Sequence, residues 1–255
     1  MKLRIALGAA VVGYLAGSVS FGRIVGRVAA PDEDVTHTTL ELPGGSTLEY
    51  EGVSATSIAA RSGPGWGMFT GGLDMAKAFA PTWYAKQRWP GEPYAAIVAT
   101  AAIAGHNYPI YHGFNGGRGM APFFGGMLAI DPKAVPITNL AGIAIGVGGF
   151  QDMVVAYTAG MWLAIPWFVW RRRPAETAYA LAANVLFHLA SRGELGAYRD
   201  KRRSGELAAM PSVRDFLGSY GTMTGREGGA EGASPTEDCP ARPSRIISRR
   251  RSMPT

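Results

Sequence analysis

The sequence predicts an all-α membrane protein: a polytopic bundle of about seven transmembrane helices with a short cytoplasmic β-hairpin insert and a disordered C-terminal tail. Three observations predict it. Hydrophobic residues make up 47% of the 255 and charged residues only 17%, against roughly 25% charged in an ordinary soluble domain. The charges crowd into residues 30–62 and the stretch after 192. What lies between is a series of apolar runs separated by short polar joints.

Residues 1–29 carry Lys2 and Arg4 and then an apolar run that continues past Gly17-Ser18 to Val28. A cleaved signal peptide is the competing reading, but no soluble domain follows, so a retained first helix is expected. Gly13, Gly17 and Ser18 form small-residue faces suited to close helix packing in lipid. Residues 30–62 are a polar insert. Two alternating arms, Thr39–Leu42 and Thr47–Tyr50, flank Pro43-Gly44-Gly45-Ser46, which predicts a hairpin over 39–50.

Six further segments follow at 65–86, 92–112, 118–130, 134–150, 152–170 and 174–191. The first contains Asp74 and Lys77 at i,i+3, on one helical face. Ionisable groups in hydrocarbon are costly, so the pair is expected to face the bundle interior as polar support. The segment at 118–130 is short for a full crossing. The segment at 152–170 ends in an aromatic belt, Trp162–Trp170, before Arg171–Arg173. With the N-terminus outside, seven crossings put the hairpin, the glycine-rich stretch and the tail in the cytoplasm. Arg23, Arg27, Arg61, Arg118 and Arg199–Arg203 fit the positive-inside rule, and Arg171–Arg173 do not. Residues 1–221 form the membrane domain, and 222–255, rich in Gly, Pro, Ser and charge, read as a disordered basic tail.

The formal charge of +6 sits largely in clusters beside apolar helices. That placement suits anionic membrane lipids as partners better than nucleic acid, for which no aromatic-basic motif or zinc spacing is present. The single cysteine, Cys239, permits no intrachain disulfide. The histidines are dispersed, without a metal-ligand spacing, and no metal site is expected.

Chemistry concentrates in GHNYPIYHGFNGGRGM, residues 105–120. Gly116, Gly117 and Gly119 surround Arg118 at an expected helix start. Glycines let backbone approach a ligand, a helix N-terminus favours an anion, and an arginine fork grips its oxygens in pairs. No Gly-Lys-Ser/Thr follows, which argues against a nucleotide P-loop. Two readings stay open on these residues: a phosphate site, or a glycine-rich turn between packed membrane helices. His106 and His112 read as residues that order this loop.

The stretch resembles the phosphate-loop motif of the bacterial acyl-phosphate-dependent glycerol-3-phosphate acyltransferases. In that family Gly-His and a Pro precede Phe-Lys-Gly-Gly-Lys-Gly. Tyr14–Ser18, Ala55-Thr56-Ser57, Leu73–Lys77 and His188 fall in the family's order, so the resemblance covers residues 10 to about 205. It implies transfer of a fatty acyl group from acyl phosphate to the 1-hydroxyl of glycerol 3-phosphate, giving lysophosphatidic acid in phospholipid synthesis. It implies neither coenzyme A nor a metal or other cofactor.

Carried over residue by residue, the resemblance makes His188, Arg118 and Arg61 catalytic. Gly116, Gly117, Arg118, Gly119, Thr56, Ser57 and Ser191 would bind substrate phosphate, with His106, Asp74 and Lys77 as polar support. This chain also departs from the pattern. Tyr50 aligns with the family's active-site serine, Asn115 and Arg118 replace two lysines, and Gln151 or Asp152 aligns with a second serine. Those departures keep open a diverged or non-catalytic member that only binds phospholipid precursors. A small transporter is a more distant reading, and no inverted repeat supports it.

Overall fold

The computed structural model describes residues 1–41 and 47–206, without the side chains of Leu40, Glu41, Leu48, Tyr50, Glu51 and Met153. The expected tail, 222–255, and the hairpin turn, 43–46, lie outside the described residues. The chain is mostly helical. The apolar run at 1–29 is broken rather than continuous: α1, Leu3–Ser18, ends at Val19, and α2, Phe21–Ala29, starts after Ser20. The Ser20 hydroxyl accepts from the Arg23 amide at 3.4 Å, capping α2 where the chain turns.

Strands β1, His37–Glu41, and β2, Thr47–Glu51, pair antiparallel, with Thr39 opposite Glu49. Helix α3, Ala55–Ser62, begins with a capping box made by Ser54 and Ser57. Gly63 then turns the chain into α4, Pro64–Arg88, which places Pro64 at the helix start where its missing N–H costs nothing. Helix α5, Tyr94–Asn107, leads through a short 3₁₀ turn, Ile110–His112, to α6, Met120–Ile130. Helix α7, Ala134–Ile143, runs into a π-helical stretch, Ala144–Phe150. Helices α8, Met153–Trp170, α9, Pro174–Ala190, and α10, Arg192–Ser204, complete the described chain.

Close helix crossings are made by glycine. A methyl on Gly17 of α1 would overlap the Ala102 carbonyl oxygen of α5, and one on Gly105 of α5 would overlap the Tyr14 carbonyl oxygen of α1. Gly125 of α6 presses in the same way on the Met75 carbonyl of α4. Small residues let backbones approach to van der Waals distance, which drives association where lipid removes the hydrophobic driving force. The larger core side chains fill the space between α5, α6, α8 and α9. Phe123 stacks on Tyr179 with centroids 5.6 Å apart, and Met127, Met161 and Phe168 are buried around them.

The outward faces are apolar too. Leu7, Val11, Phe69, Leu140, Trp170 and Val185 are all exposed, a surface suited to lipid rather than water. Among the described residues only Leu3–Ala29 is both long and apolar enough to cross a membrane by length and composition. Helix α6, with 11 residues, spans about 16 Å and stops short of a bilayer core of about 30 Å.

One prediction arises from the α1–α5 contact. Gly105→Leu should destabilise the protein by about 3 kcal/mol or more, because the obstacle is backbone and cannot swing away. Thermal melting in detergent reads this out. Gly8→Leu, where nothing lies within 4 Å of the added carbon, is the control and should melt with the parent.

Candidate active site

Helix α5 stops at Asn107, and the chain doubles back on its own end before α6 begins. The Gly117 amide donates to the His106 carbonyl at 3.0 Å, and the Phe114 amide donates to the Pro109 carbonyl at 3.0 Å. Gly113 and Gly119 both take positive φ, +60° and +85°, and Gly119 occupies the position before the first residue of α6. Gly116 has another reason to be glycine: a methyl there would overlap the His106 carbonyl oxygen. The loop is thus pressed flat against the end of α5, with Arg118 projecting from it.

Two neighbours brace the loop. Arg23 of α2 donates from Nη2 to the Asn115 carbonyl at 3.3 Å. Gly52, following β2 at φ +129°, packs so that an added carbon would lie 2.6 Å from the Gly116 oxygen and 3.4 Å from Arg118 Nη1. The end of the hairpin therefore touches the glycine loop. Burial, then the charges of Arg23 and Arg27, hold His112 below the ordinary histidine value, so it adds no cation to this surface near neutral pH.

Beside the loop opens a cavity of about 730 Å³. Asn107, Gly116 and Arg118 line one side, Glu49 of β2 contributes an edge, and Ala190, Arg192 and Glu194 line the opposite wall. Arg118 and Glu194 form an ion pair, and both side chains are largely shielded, at 19% and 15% exposure. Helix α10 makes a second anchor at Asp152, which caps α8 by accepting from the Val155 amide at 3.0 Å. Tyr198 donates to Asp152 Oδ1 at 3.2 Å, and Arg202 pairs with Asp152. Burial holds the Tyr198 hydroxyl above the ordinary phenol value, so it remains a donor. Glu194, Tyr198 and Arg202 stand four residues apart, so one face of α10 bridges the starts of α6 and α8.

Of the residues expected to meet substrate, the structure brings Arg118 and Gly116 to this cavity, with Gly117 and Gly119 buried behind them in the same loop. Ser191 sits at the start of α10, flanked by cavity-lining Ala190 and Arg192. It is 4% exposed, and its hydroxyl has no hydrogen-bond partner among the described residues.

Four of the expected residues are not among those lining this cavity. Arg61 does not reach the cavity: its guanidinium donates to the Asp34 carbonyl at 2.9 Å and to the His37 carbonyl, and pairs with Glu33 at 3.6 Å. Its fork is used to tie the polar insert to α3. Ser57 spends its hydroxyl on the capping box, donating to the Ser54 carbonyl at 2.9 Å and accepting from the Ser54 amide at 2.9 Å. Thr56 is exposed at the start of α3, and neither residue lines the cavity. His188 is not among the lining residues either. Its Nδ1–H donates to the Asn184 carbonyl at 2.8 Å, and its ring packs edge-on against Trp162 at 5.4 Å.

Asp74, Lys77 and His106 lie together beneath the loop, all buried. Lys77 Nζ is 2.7 Å from Asp74 Oδ1, 2.9 Å from His106 Nδ1 and 2.6 Å from the Val19 carbonyl. Sequence reasoning did not single out Asn107, Glu194, Tyr198 or Arg202. For the last three, the four-residue spacing on a polar helix was the available signal. Among the described residues no group of acidic, histidine or cysteine side chains could hold a metal ion.

The sequence pattern of the family described as glycerol-3-phosphate acyltransferase matches residues 7–198. The chain belongs to the glycerol-3-phosphate acyltransferase family. It is 35% identical over 148 residues to a glycerol-3-phosphate acyltransferase of Anaeromyxobacter sp. (strain K), covering 56% of this chain and 68% of that one. Identity to a glycerol-3-phosphate acyltransferase 1 of Rhizobium johnstonii is 30% over 186 residues, covering 73% of this chain and 84% of that one. Its fold is similar to the crystal structure of PlsY (YgiH), described as an integral membrane glycerol 3-phosphate acyltransferase, in its glycerol 3-phosphate form. The TM-score is 0.65 at 20% identity, covering 83% of this chain and 98% of PlsY. A second PlsY structure, the lysophosphatidic acid form, matches equally well. The glycine loop, the α4 ionisable pair and most of α10 thus fall within the span shared with the acyltransferase family.

Proposed function

We propose that this protein is a membrane acyltransferase that moves a fatty acyl group from acyl phosphate to the 1-hydroxyl of glycerol 3-phosphate, giving lysophosphatidic acid. The observation that carries the proposal is Arg118, set by a glycine loop at the wall of a cavity of about 730 Å³ in a bundle whose outer faces are apolar. An acyl phosphate is an activated mixed anhydride. The glycerol hydroxyl attacks its carbonyl carbon, a new ester C–O bond forms, the C–O bond to phosphate breaks, and the departing phosphate takes the hydroxyl proton. The protein's task is to place two anions and to stabilise charge building on the carbonyl oxygen. Arg118 and the amides of the glycine loop suit the first part of that task, with the buried Ser191 hydroxyl nearby.

The same reading places about seven membrane crossings in the chain, with the hairpin, the glycine loop, α10 and the tail on the cytoplasmic side of the cell membrane. Basic residues of α10 and the tail would then meet anionic lipid headgroups. Acylation of glycerol 3-phosphate by the purified protein in detergent, with acyl phosphate as donor, tests the whole. Absence of lysophosphatidic acid at any donor length would reject it.

A second reading has its own observation. Gln151 or Asp152 aligns with a serine of the family pattern, and Asp152 is engaged by Tyr198 and Arg202, while Arg61 and Ser57 make structural contacts. A diverged member that takes another acceptor, or only binds phospholipid precursors, would show binding of glycerol 3-phosphate without transfer in that assay.

The Arg118–Glu194 pair has a kinetic consequence. A substrate phosphate and the Glu194 carboxylate compete for one guanidinium, so Glu194→Gln should lower the KM for the phosphate substrate several-fold, by about 1 kcal/mol. A raised KM would mean instead that Glu194 serves to aim the arginine.

A further inference from the structure

We propose that Arg23 and Arg27 of α2, with the turn at His112, bind the headgroup phosphate of an anionic phospholipid at the membrane surface, and that this lipid steadies the glycine loop. None of the three residues lines the cavity beside Arg118, so the site is separate from it. The inference rests on reading the bundle as membrane-embedded with the loop at its surface, and it does not need the acyl-transfer reaction.

Helix α2 has three different sides. Gly22, Val25 and Gly26 are buried, and the two glycines let the helix lie flat on the polar insert. A carbon added to Gly22 would lie 2.6 Å from Val53 Cγ1, and one added to Gly26 would lie 2.9 Å from Val35 Cγ1. At about 100° per residue, Ile24 and Val28 stand together on a second side, and both are exposed. Arg23 and Arg27, four apart, form the third side. A helix with one apolar and one basic outer side suits the boundary between lipid headgroups and acyl chains. The 3₁₀ turn after α5 adds exposed Ile110 and Tyr111, residue types at home at the same boundary.

The basic side is short of countercharge. Arg27 is exposed and makes no hydrogen bond or ion pair among the described residues. Arg23 is half-buried and donates from Nη2 to the Asn115 carbonyl at 3.3 Å, a neutral acceptor that leaves its charge uncompensated. Burial, then the charges of Arg23, Arg27 and Lys77, hold His112 below the ordinary histidine value, and no carboxylate acts against them. Lys77 has Asp74 at 2.7 Å, so the two arginines are the cations left unbalanced beside this turn. Like charges at this spacing repel, and a phosphate between them relieves the repulsion while accepting from both forks. Free phosphate would do so and still leave Ile24 and Val28 facing water. A phospholipid covers both sides of the helix at once. The Asn115 amide donates to the His112 carbonyl at 3.2 Å, so Arg23 and His112 are joined through the first part of the loop that carries Arg118.

The experiment uses the full-length protein with isotope-labelled histidine, in nanodiscs of phosphatidylcholine alone or with added phosphatidylglycerol. The chain has four histidines, and two are assigned by their loss in His112→Gln and His37→Gln. His37 is exposed on β1 and reports the general potential of the membrane surface. An anion held by the arginines favours the imidazolium, so phosphatidylglycerol should raise the His112 pKa by about one pH unit more than that of His37. Arg27→Gln should need about five times as much phosphatidylglycerol for the same rise, whereas Arg27→Lys, which keeps the charge, should respond like the parent. Deuterium uptake over residues 112–119 should fall with phosphatidylglycerol in the parent and fall less in Arg27→Gln. Equal movement of His112 and His37 overturns the site, as does a parent-like response in Arg27→Gln. Inorganic phosphate that moves His112 as far in phosphatidylcholine discs overturns the lipid as occupant. Unchanged deuterium uptake in the parent overturns the steadying of the loop. If neither histidine responds, this end of the bundle lies away from lipid, and the membrane placement fails with the site. None of these readouts uses acyl transfer, so the proposed reaction stands or falls separately.

Discussion

Arg118→Ala is expected to reduce acyl transfer at least about a thousandfold while the protein still folds. The expectation follows from where the guanidinium stands. It is held by a loop pressed onto the end of α5, at the cavity wall, with its side chain only 19% exposed. In such a place a phosphate ligand is shielded from water, and loss of this cation is not made up by solvent. Arg118→Lys should retain part of the activity, because the charge remains while the two-pronged grip is lost. Its signature is a raised KM for the phosphate substrate with a smaller change in kcat. Stability separates chemistry from folding. The alanine variant leaves Glu194 without this partner, so its melting temperature in detergent should fall somewhat. The double variant Arg118→Ala/Glu194→Gln removes both members and should melt near the parent, yet remain inactive. Parent-like transfer by either alanine variant would remove Arg118 from the mechanism.

Gly116→Ala should have the next largest effect, a loss of about a hundredfold in kcat/KM. Gly116 is not in the left-handed region, so alanine is not excluded by backbone strain. The obstacle is contact. An added carbon would overlap the His106 carbonyl oxygen and lie 2.6 Å from Pro109 Cδ and 2.9 Å from the Asn107 carbonyl oxygen. Two of those three atoms belong to the end of α5, which cannot yield without disturbing the helix, so the loop itself must lift. Lifting it by even a fraction of an ångström moves Arg118 and the amides that would meet phosphate. Gly113→Ala is the informative comparison. Gly113 has φ +60° but nothing within 4 Å of an added carbon, so alanine there costs only about 1–2 kcal/mol of backbone strain. Activity near the parent level in Gly113→Ala, beside the loss in Gly116→Ala, would assign the effect to the close approach. A Gly116→Ala protein with parent-like KM and kcat would show that the loop tolerates displacement.

How legible these features were in the sequence depends on how local their causes are. The glycine loop at the joint between two apolar helices was legible, because φ preferences and close backbone contacts demand glycine at particular places. Asp74 and Lys77 on one buried face were legible from their spacing and from the cost of charge in an apolar segment. Small-residue faces in the first helix were legible too: Gly13 and Gly17 press on the Val98 and Ala102 carbonyls of α5. The order of motifs from Tyr14 to His188 was enough to indicate the acyltransferase family.

The sequence by itself determined the helical class, the position of the loop and the charge at its tip, since periodicity, composition and backbone preference are properties of neighbouring residues. The tertiary structure alone decided which distant groups share that charge. Arg118 meets Glu194 across 76 positions, and no spacing rule links two side chains on separate elements. Arg61 was equally ambiguous: a basic residue near a polar insert suits a substrate anion or a backbone carbonyl, and only the folded chain brings it to the Asp34 and His37 carbonyls. The break at Val19 shows the same limit. An apolar run does not mark where a helix stops, and only the folded chain brings Lys77 to both that freed carbonyl and His106 Nδ1.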